Sequence, residues 1–125
     1  MVFDWAKYLV LAEELAMRIT DEASLRSAIS RAYYAAFCPA RNRLLQEGEE
    51  IPKTGDAHTI VWTKYRESTQ KHRRYIGITG DRLRRSRNKA DYDDEFPSIS
   101  AVVQDAVVKA RHLLDSLGSL DSGKH

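Results

Sequence analysis

The segment Ser27-Ala28-Ile29-Ser30-Arg31-Ala32-Tyr33-Tyr34-Ala35-Ala36-Phe37 sets one arginine and two tyrosines among residues that are otherwise small or apolar. Alanine is both the best helix former and a small apolar residue, so this run reads as a helix that other helices can approach closely. At helical spacing Ser27, Arg31, Tyr34 and Cys38 share one face. An arginine turned toward neighbouring helices needs an anionic partner, because an unpaired buried charge is costly. The pattern therefore demands a bundle around this helix and a partner for Arg31. Asp91 is the expected one, facing Arg31 across two helices with their charged groups within about 8 Å, one screening length. Two roles stay open for the arginine: a structural ion pair between helices, or a ligand phosphate.

The rest of the chain supplies the bundle. Trp5, Leu9, Ala12, Leu15, Ala16 and Ile19 recur at three- and four-residue steps and predict a helix over about 3–19. Thr20, Asp21 and Glu22 supply a cap and early acids for a second helix over about 21–47, which Gly48 ends. Pro39 inside that span predicts a kink near Ala35 to Pro39 or a split into two helices. After a loop over 49–56, a helix is expected over about 57–70. A break at Gly77 and Gly80 follows, and then a helix over about 81–91. The stripe Ile99, Val102, Val103, Ala106, Val107, Ala110, Leu113, Leu114 and Leu117 predicts a last helix over 98–117, stopped by Gly118. No alternating strand pattern competes. The expected fold is all-α, an antiparallel bundle of four to five helices spanning 1–118, with 119–125 as a flexible tail.

A chain of 125 residues with 42% hydrophobic content suits one domain. The N-terminus lacks the basic region and apolar run of a signal peptide, and no apolar stretch is long enough to span a bilayer. Cys38 is the single cysteine, so no internal disulfide can form. A cytoplasmic location, away from membranes, is the expectation.

Charge is unevenly spread although the net value is only +2. Lys64 to Lys89 holds ten lysines or arginines against Glu67 and Asp81. Arg84, Arg87 and Asp91 share one helical face, and Arg85, Asn88, Lys89 and Tyr92 the next. Such a patch suits an RNA backbone or nucleotide phosphates, with Tyr65 and Tyr75 as stacking faces. The alternative is a solvated basic helix balanced by the acidic run Asp91, Asp93, Asp94 and Glu95.

The helix from Ser27 to Phe37, followed by Arg87-Asn88-Lys89-Ala90-Asp91-Tyr92-Asp93 and a final apolar helix, resembles the HEPN-domain family. It is most similar to the small stand-alone branch with S-R-A-Y-Y-A-A-F and R-x-x-A-D-Y motifs, over about Asp4 to Leu117. The resemblance implies a helical homodimer of prokaryotic origin, associated with toxin–antitoxin or defence systems. It also implies a cognate nucleotidyltransferase or antitoxin as partner. Many members are metal-independent RNases, using an Arg followed after four to six residues by a His at a dimer cleft. Here that spacing leads from Arg87 to Tyr92, Asp93 or Asp94, and from Arg84 to Lys89, Ala90 or Asp91, none of them histidine. The general base near neutral pKa is missing at the expected place. Relatives often carry a histidine after the helix phenylalanine, where this chain has Cys38 and then Pro39.

Three functions follow. The first is a protein binding RNA or nucleotide through Arg84, Arg85, Lys89, Arg73, Arg74, Tyr34 and His58. The second is an RNase using Arg31, Arg87, Asp91 and Tyr92 as a non-standard catalytic set. The third is a non-catalytic dimerisation module. His58 lies where relatives tend to place a histidine. His72 and His112 read as surface residues and His125 as tail. No metal or other cofactor is expected, since no ligand spacing and no Gly-rich phosphate loop occurs. Cys38 reads as an inert buried thiol.

Overall fold

A computed structural model describes residues 2–121. Five helices follow one another: α1 Lys7–Ala16, α2 Glu22–Gln46, α3 Ala57–Arg66, α4 Lys71–Tyr92 and α5 Ile99–Asp121. There is no strand among the described residues. α2 is the central element, packed along α1, α5 and α4, while the short α3 lies chiefly on α4. The alanines make this possible: Ala28, Ala32, Ala35, Ala36 and Ala40 of α2 are fully buried, so neighbouring backbones come close.

α2 runs unbroken through Pro39, so the expected split does not occur. Its end is built from backbone geometry. Gly48 takes φ 90°, the Glu49 N–H reaches the Leu44 carbonyl at 3.0 Å, and the Gly48 N–H reaches Leu45 at 3.1 Å. These two bonds satisfy orphan carbonyls of the last turn, and the positive φ is one that glycine alone adopts without cost.

The expected break at Gly77 and Gly80 is also overturned. Both glycines lie inside the continuous helix α4. A Cβ at Gly77 would stand 2.5 Å from the Arg66 backbone nitrogen, and one at Gly80 would overlap the Trp62 indole ring. The glycines are the seat on which α3 rests, and a continuous helix costs about 1 kcal/mol per glycine relative to alanine, which packing offsets. Trp62 is fully buried on that seat.

At the C-terminus α5 continues past Gly118 to Asp121, three residues into the expected tail, and Leu120 is buried. Residues 122–125 of that tail lie outside the described part. Arg111 on α5 pairs with Glu13 on α1. No helix among the described residues is long and apolar enough to cross a membrane.

Candidate functional site

Arg87 on α4 is the centre of the polar cluster. Its side chain is 14% exposed. Nη2 donates to the Tyr34 hydroxyl at 2.8 Å and Nη1 to Asn88 Oδ1 at 3.1 Å. Nε lies 2.8 Å from Asp91 Oδ2, one turn on, but out of line for a hydrogen bond; the contact is an ion pair, and the buried Nε–H is left without an aligned acceptor. The guanidinium also sits 5.3 Å from the Tyr34 ring centre and 5.8 Å from that of Tyr92. Arg87, Asp91, Tyr92 and Tyr34, which the sequence places on two distant segments, are therefore one cluster.

No direct ion pair joins Arg31 to Asp91, although both line one shallow depression beside Ser30. Arg31 lies over the Tyr8 ring at 5.0 Å, toward α1, and Asp91 is taken by Arg87 and by the Ser30 hydroxyl at 3.4 Å. The aromatic face of Tyr8 serves the Arg31 cation, while Arg87 meets Asp91 one turn on within its own helix.

Beside this cluster, the two consecutive tyrosines of α2 point in different directions. Tyr34 is half-buried and meets Arg87. Tyr33 is fully buried and turns to α3, where its hydroxyl lies 2.6 Å from His58 Nδ1 and accepts the Trp62 indole N–H at 3.1 Å. The indole can only donate, so the single Tyr33 proton goes to His58 Nδ1. The opposite arrangement would orphan a buried O–H, at a cost of about 1–3 kcal/mol. Nδ1 is thereby an acceptor, and the neutral ring carries its proton on Nε2. Burial lowers the His58 pKa, and the positive charges of Arg87, Arg84 and Arg41 lower it further. The ring is stacked on Phe37 at 4.3 Å. Burial pushes the Tyr33 phenol well above its ordinary range, and the Tyr34 phenol also rises by burial, opposed by Arg87.

His58 and Tyr34 open onto a cavity of about 640 Å³. Its apolar wall is Trp5, Phe37, Leu45 and Ile51, and its polar rim includes Arg41, Lys53 and Thr54. Among the described residues no carboxylate lines it. The Arg41 guanidinium spends Nε and Nη2 on the neutral amide oxygen of Asn42, at 3.1 and 3.0 Å, leaving its charge uncompensated. Cys38 borders the cavity, buried, and burial pushes its thiol up.

Of the other expected phosphate ligands, Arg73, Arg74, Arg84 and Arg85 are engaged within the protein. Asp81, nearly buried, holds Arg84 at 3.0 Å and Arg85 at 3.1 Å, with Arg66 at 3.8 Å. Arg73 forks onto Glu47 at 3.0 and 2.8 Å, and that pairing holds the Glu47 carboxyl below its usual range. Arg74 donates to the Ser68 and Thr69 carbonyls at 3.3 and 2.7 Å, just beyond α3. Lys89 is exposed. Of the three described histidines, His58 alone borders the cluster. His72 is half-buried rather than on the surface, with Nε2 3.1 Å from the Ser116 carbonyl, and His112 is exposed. Among the described residues no three His, Cys, Asp or Glu side chains are placed to hold a metal ion.

Two contributors escaped the sequence reading. Arg41 carries no motif. Arg26 donates to the carbonyls of Ala90 at 3.0 Å, Asp93 at 2.6 Å and Asp94 at 3.3 Å, tying off the end of α4 just after Arg87 and Asp91. Its (i, i+4) pair with Glu22, at 2.9 Å, was the only local signal.

The HEPN domain family model matches residues 10–120, nearly the whole bundle. The chain belongs to the HEPN family. No curated protein and no solved structure matches it. Within the HEPN bundle the match spans every element that builds the cluster: Tyr33 and Tyr34 on α2, His58 and Trp62 on α3, Arg87 and Asp91 on α4. Trp5, on the cavity wall, precedes the matched span.

Proposed function

We propose that this HEPN protein binds RNA or a nucleotide in the cleft beside α2, as the non-catalytic member of a prokaryotic defence or toxin–antitoxin pair. The observation that carries the reading is the state of His58. Its Nδ1 is committed to Tyr33, so the nitrogen left toward the cleft is an N–H donor. Together with Arg41 and Lys53 this makes a set of donors and cations with no carboxylate in the lining. Such a set holds phosphate oxygens. It does not remove a proton, because Nε2 becomes a base only if the ring changes tautomer and strands the Tyr33 hydroxyl. The setting and a nucleotidyltransferase or antitoxin partner rest on the family resemblance, as does the homodimer.

Binding of a short labelled RNA, followed by anisotropy over a salt series, tests this. Tight binding at low salt that weakens steeply with salt is the expected result. No binding at low salt to RNA or to mononucleotides ends the reading. A second reading, a metal-independent RNase, is favoured by one observation: His58, the only histidine beside the cluster among the described residues, feels the charge of Arg87. Incubation with RNA in EDTA separates the two. Cleavage that His58→Asn and Arg87→Ala both abolish would establish the RNase, and intact RNA bound by wild type would establish the binder.

A further inference from the structure

The cavity wall contains more apolar surface than phosphate binding requires. Leu45 is 47% exposed although it lies on the central helix. Trp5 is half-buried, held by edge-on contacts from Phe3 at 4.9 Å and Tyr8 at 5.3 Å. Ile51 is half-buried in the loop after α2. These three side chains face the same space as Arg41, Lys53 and His58. A volume of about 640 Å³ lies within the range of small-ligand sites.

Resting on the binding reading above, we infer that this cavity takes one unstacked nucleotide, its base against Trp5, Leu45 and Ile51 and its phosphate on Arg41, Lys53 and the His58 Nε2–H. The chemistry of the two sides matches the two halves of that unit. A base has a flat apolar face that stacks on aromatic side chains irrespective of its sequence, and the phosphate brings the negative charge that the carboxylate-free rim is short of. A base paired in a duplex has both faces stacked and presents only its edges. The cavity therefore selects single strands, or free mononucleotides, over duplex RNA. An acidic peptide would satisfy the rim and leave the wall unused.

The chain's two tryptophans provide the test. Trp62 is fully buried, so ligand quenching of intrinsic fluorescence reports Trp5. Titration with single-stranded homopolymer RNA, a duplex of equal length, a mononucleotide, inorganic pyrophosphate and polyglutamate is read by quenching and by competition. Single strand and mononucleotide are expected to quench, pyrophosphate to compete without quenching, and duplex and polyglutamate to do neither at the same concentration. Trp5→Ala should weaken single-strand binding about tenfold or more, the loss of one base–aromatic contact. Leu45→Glu, at an exposed position that keeps the fold, should do the same by placing a carboxylate in the cavity. Equal affinity for single strand and duplex, or unchanged binding by Leu45→Glu in protein with native circular dichroism, overturns this inference and leaves the binding reading standing. Displacement of RNA by polyglutamate at equal concentration overturns it in favour of an acidic peptide. Failure of wild type to bind any of the nucleic acids removes both.

Discussion

At His58, hydrogen-bond geometry and electrostatics act in the same direction. Tyr33 donates to Nδ1 only while the ring is neutral, and burial with three nearby arginines lowers the ring's pKa. A proton gained at Nδ1 would remove the acceptor from a fully buried hydroxyl. An unfolded chain has no such restraint and protonates His58 near 6.5. The unfolded state therefore binds more protons than the native one below that value, and stability falls as pH drops from about 6.5 through the lower native value. Melting temperature should decline over that window in wild type. In His58→Asn, whose Oδ1 keeps an acceptor opposite Tyr33 and cannot titrate, the decline should be shallower. Two parallel profiles would show that His58 is not held neutral. Nitrogen chemical shifts of the His58 ring provide the second check: proton on Nε2 is expected, and a protonated Nδ1 at pH 7 would contradict the Tyr33 assignment. The sequence contains His58 but none of this, because the two residues that fix its tautomer, Tyr33 and Trp62, are 25 and 29 positions apart in the hydrogen-bonding pairs they make.

Between elements, the seat of α3 on α4 is the contact that brings His58 toward Arg87. Apolar periodicity shows which helices exist, since α2 and α5 announce themselves by their buried stripes. It does not show whether a glycine interrupts a helix or is required by a neighbour, because both leave the same letter in the sequence. Gly77 and Gly80 read as a break between two helices and instead lie inside one, under Trp62 and Arg66. Pro39 likewise does not split α2: a missing backbone N–H is tolerated where packing on three sides holds the helix. If close approach is the reason for Gly80, Gly80→Ala should destabilise the fold by about 1–3 kcal/mol despite its better helix propensity, as overpacking does. Gly118→Ala, in open space on α5, should be neutral or stabilising by a few tenths up to about 1 kcal/mol. Chemical denaturation of the two variants measures both. A Gly80→Ala protein as stable as wild type would mean that α3 is not seated there, and His58 would lose the support that places it.

Across the whole molecule, folding divides the basic run between Lys64 and Lys89 into cations held by carboxylates or carbonyls and cations left exposed, such as Lys71, Arg82 and Lys89. Folding gives Asp81 three arginines and gives Arg73 a forked pair with Glu47, while Arg74 caps carbonyls at the end of α3. Arg41 sits outside the basic run yet keeps its charge unpaired at the cavity rim, where Lys53 joins it. The resemblance made the HEPN fold legible from sequence, but charge counting does not show which cations folding pairs, because carboxylates from other elements, such as Glu47 opposite Arg73, are not visible in a window. Salt dependence of RNA binding distinguishes these populations. A cation that contacts phosphate contributes about 0.7–1 to the slope of log affinity against log salt for a single strand. Arg41→Ala and Lys53→Ala should each weaken binding and flatten that slope by about this amount with little change in melting temperature. Arg73→Ala should leave the slope unchanged and lower stability instead, since it removes a forked link between α4 and the end of α2 and leaves Glu47 with Arg43 alone. A flattened slope in Arg73→Ala with no change in Arg41→Ala would move the RNA path from the cavity to the outer face of α4.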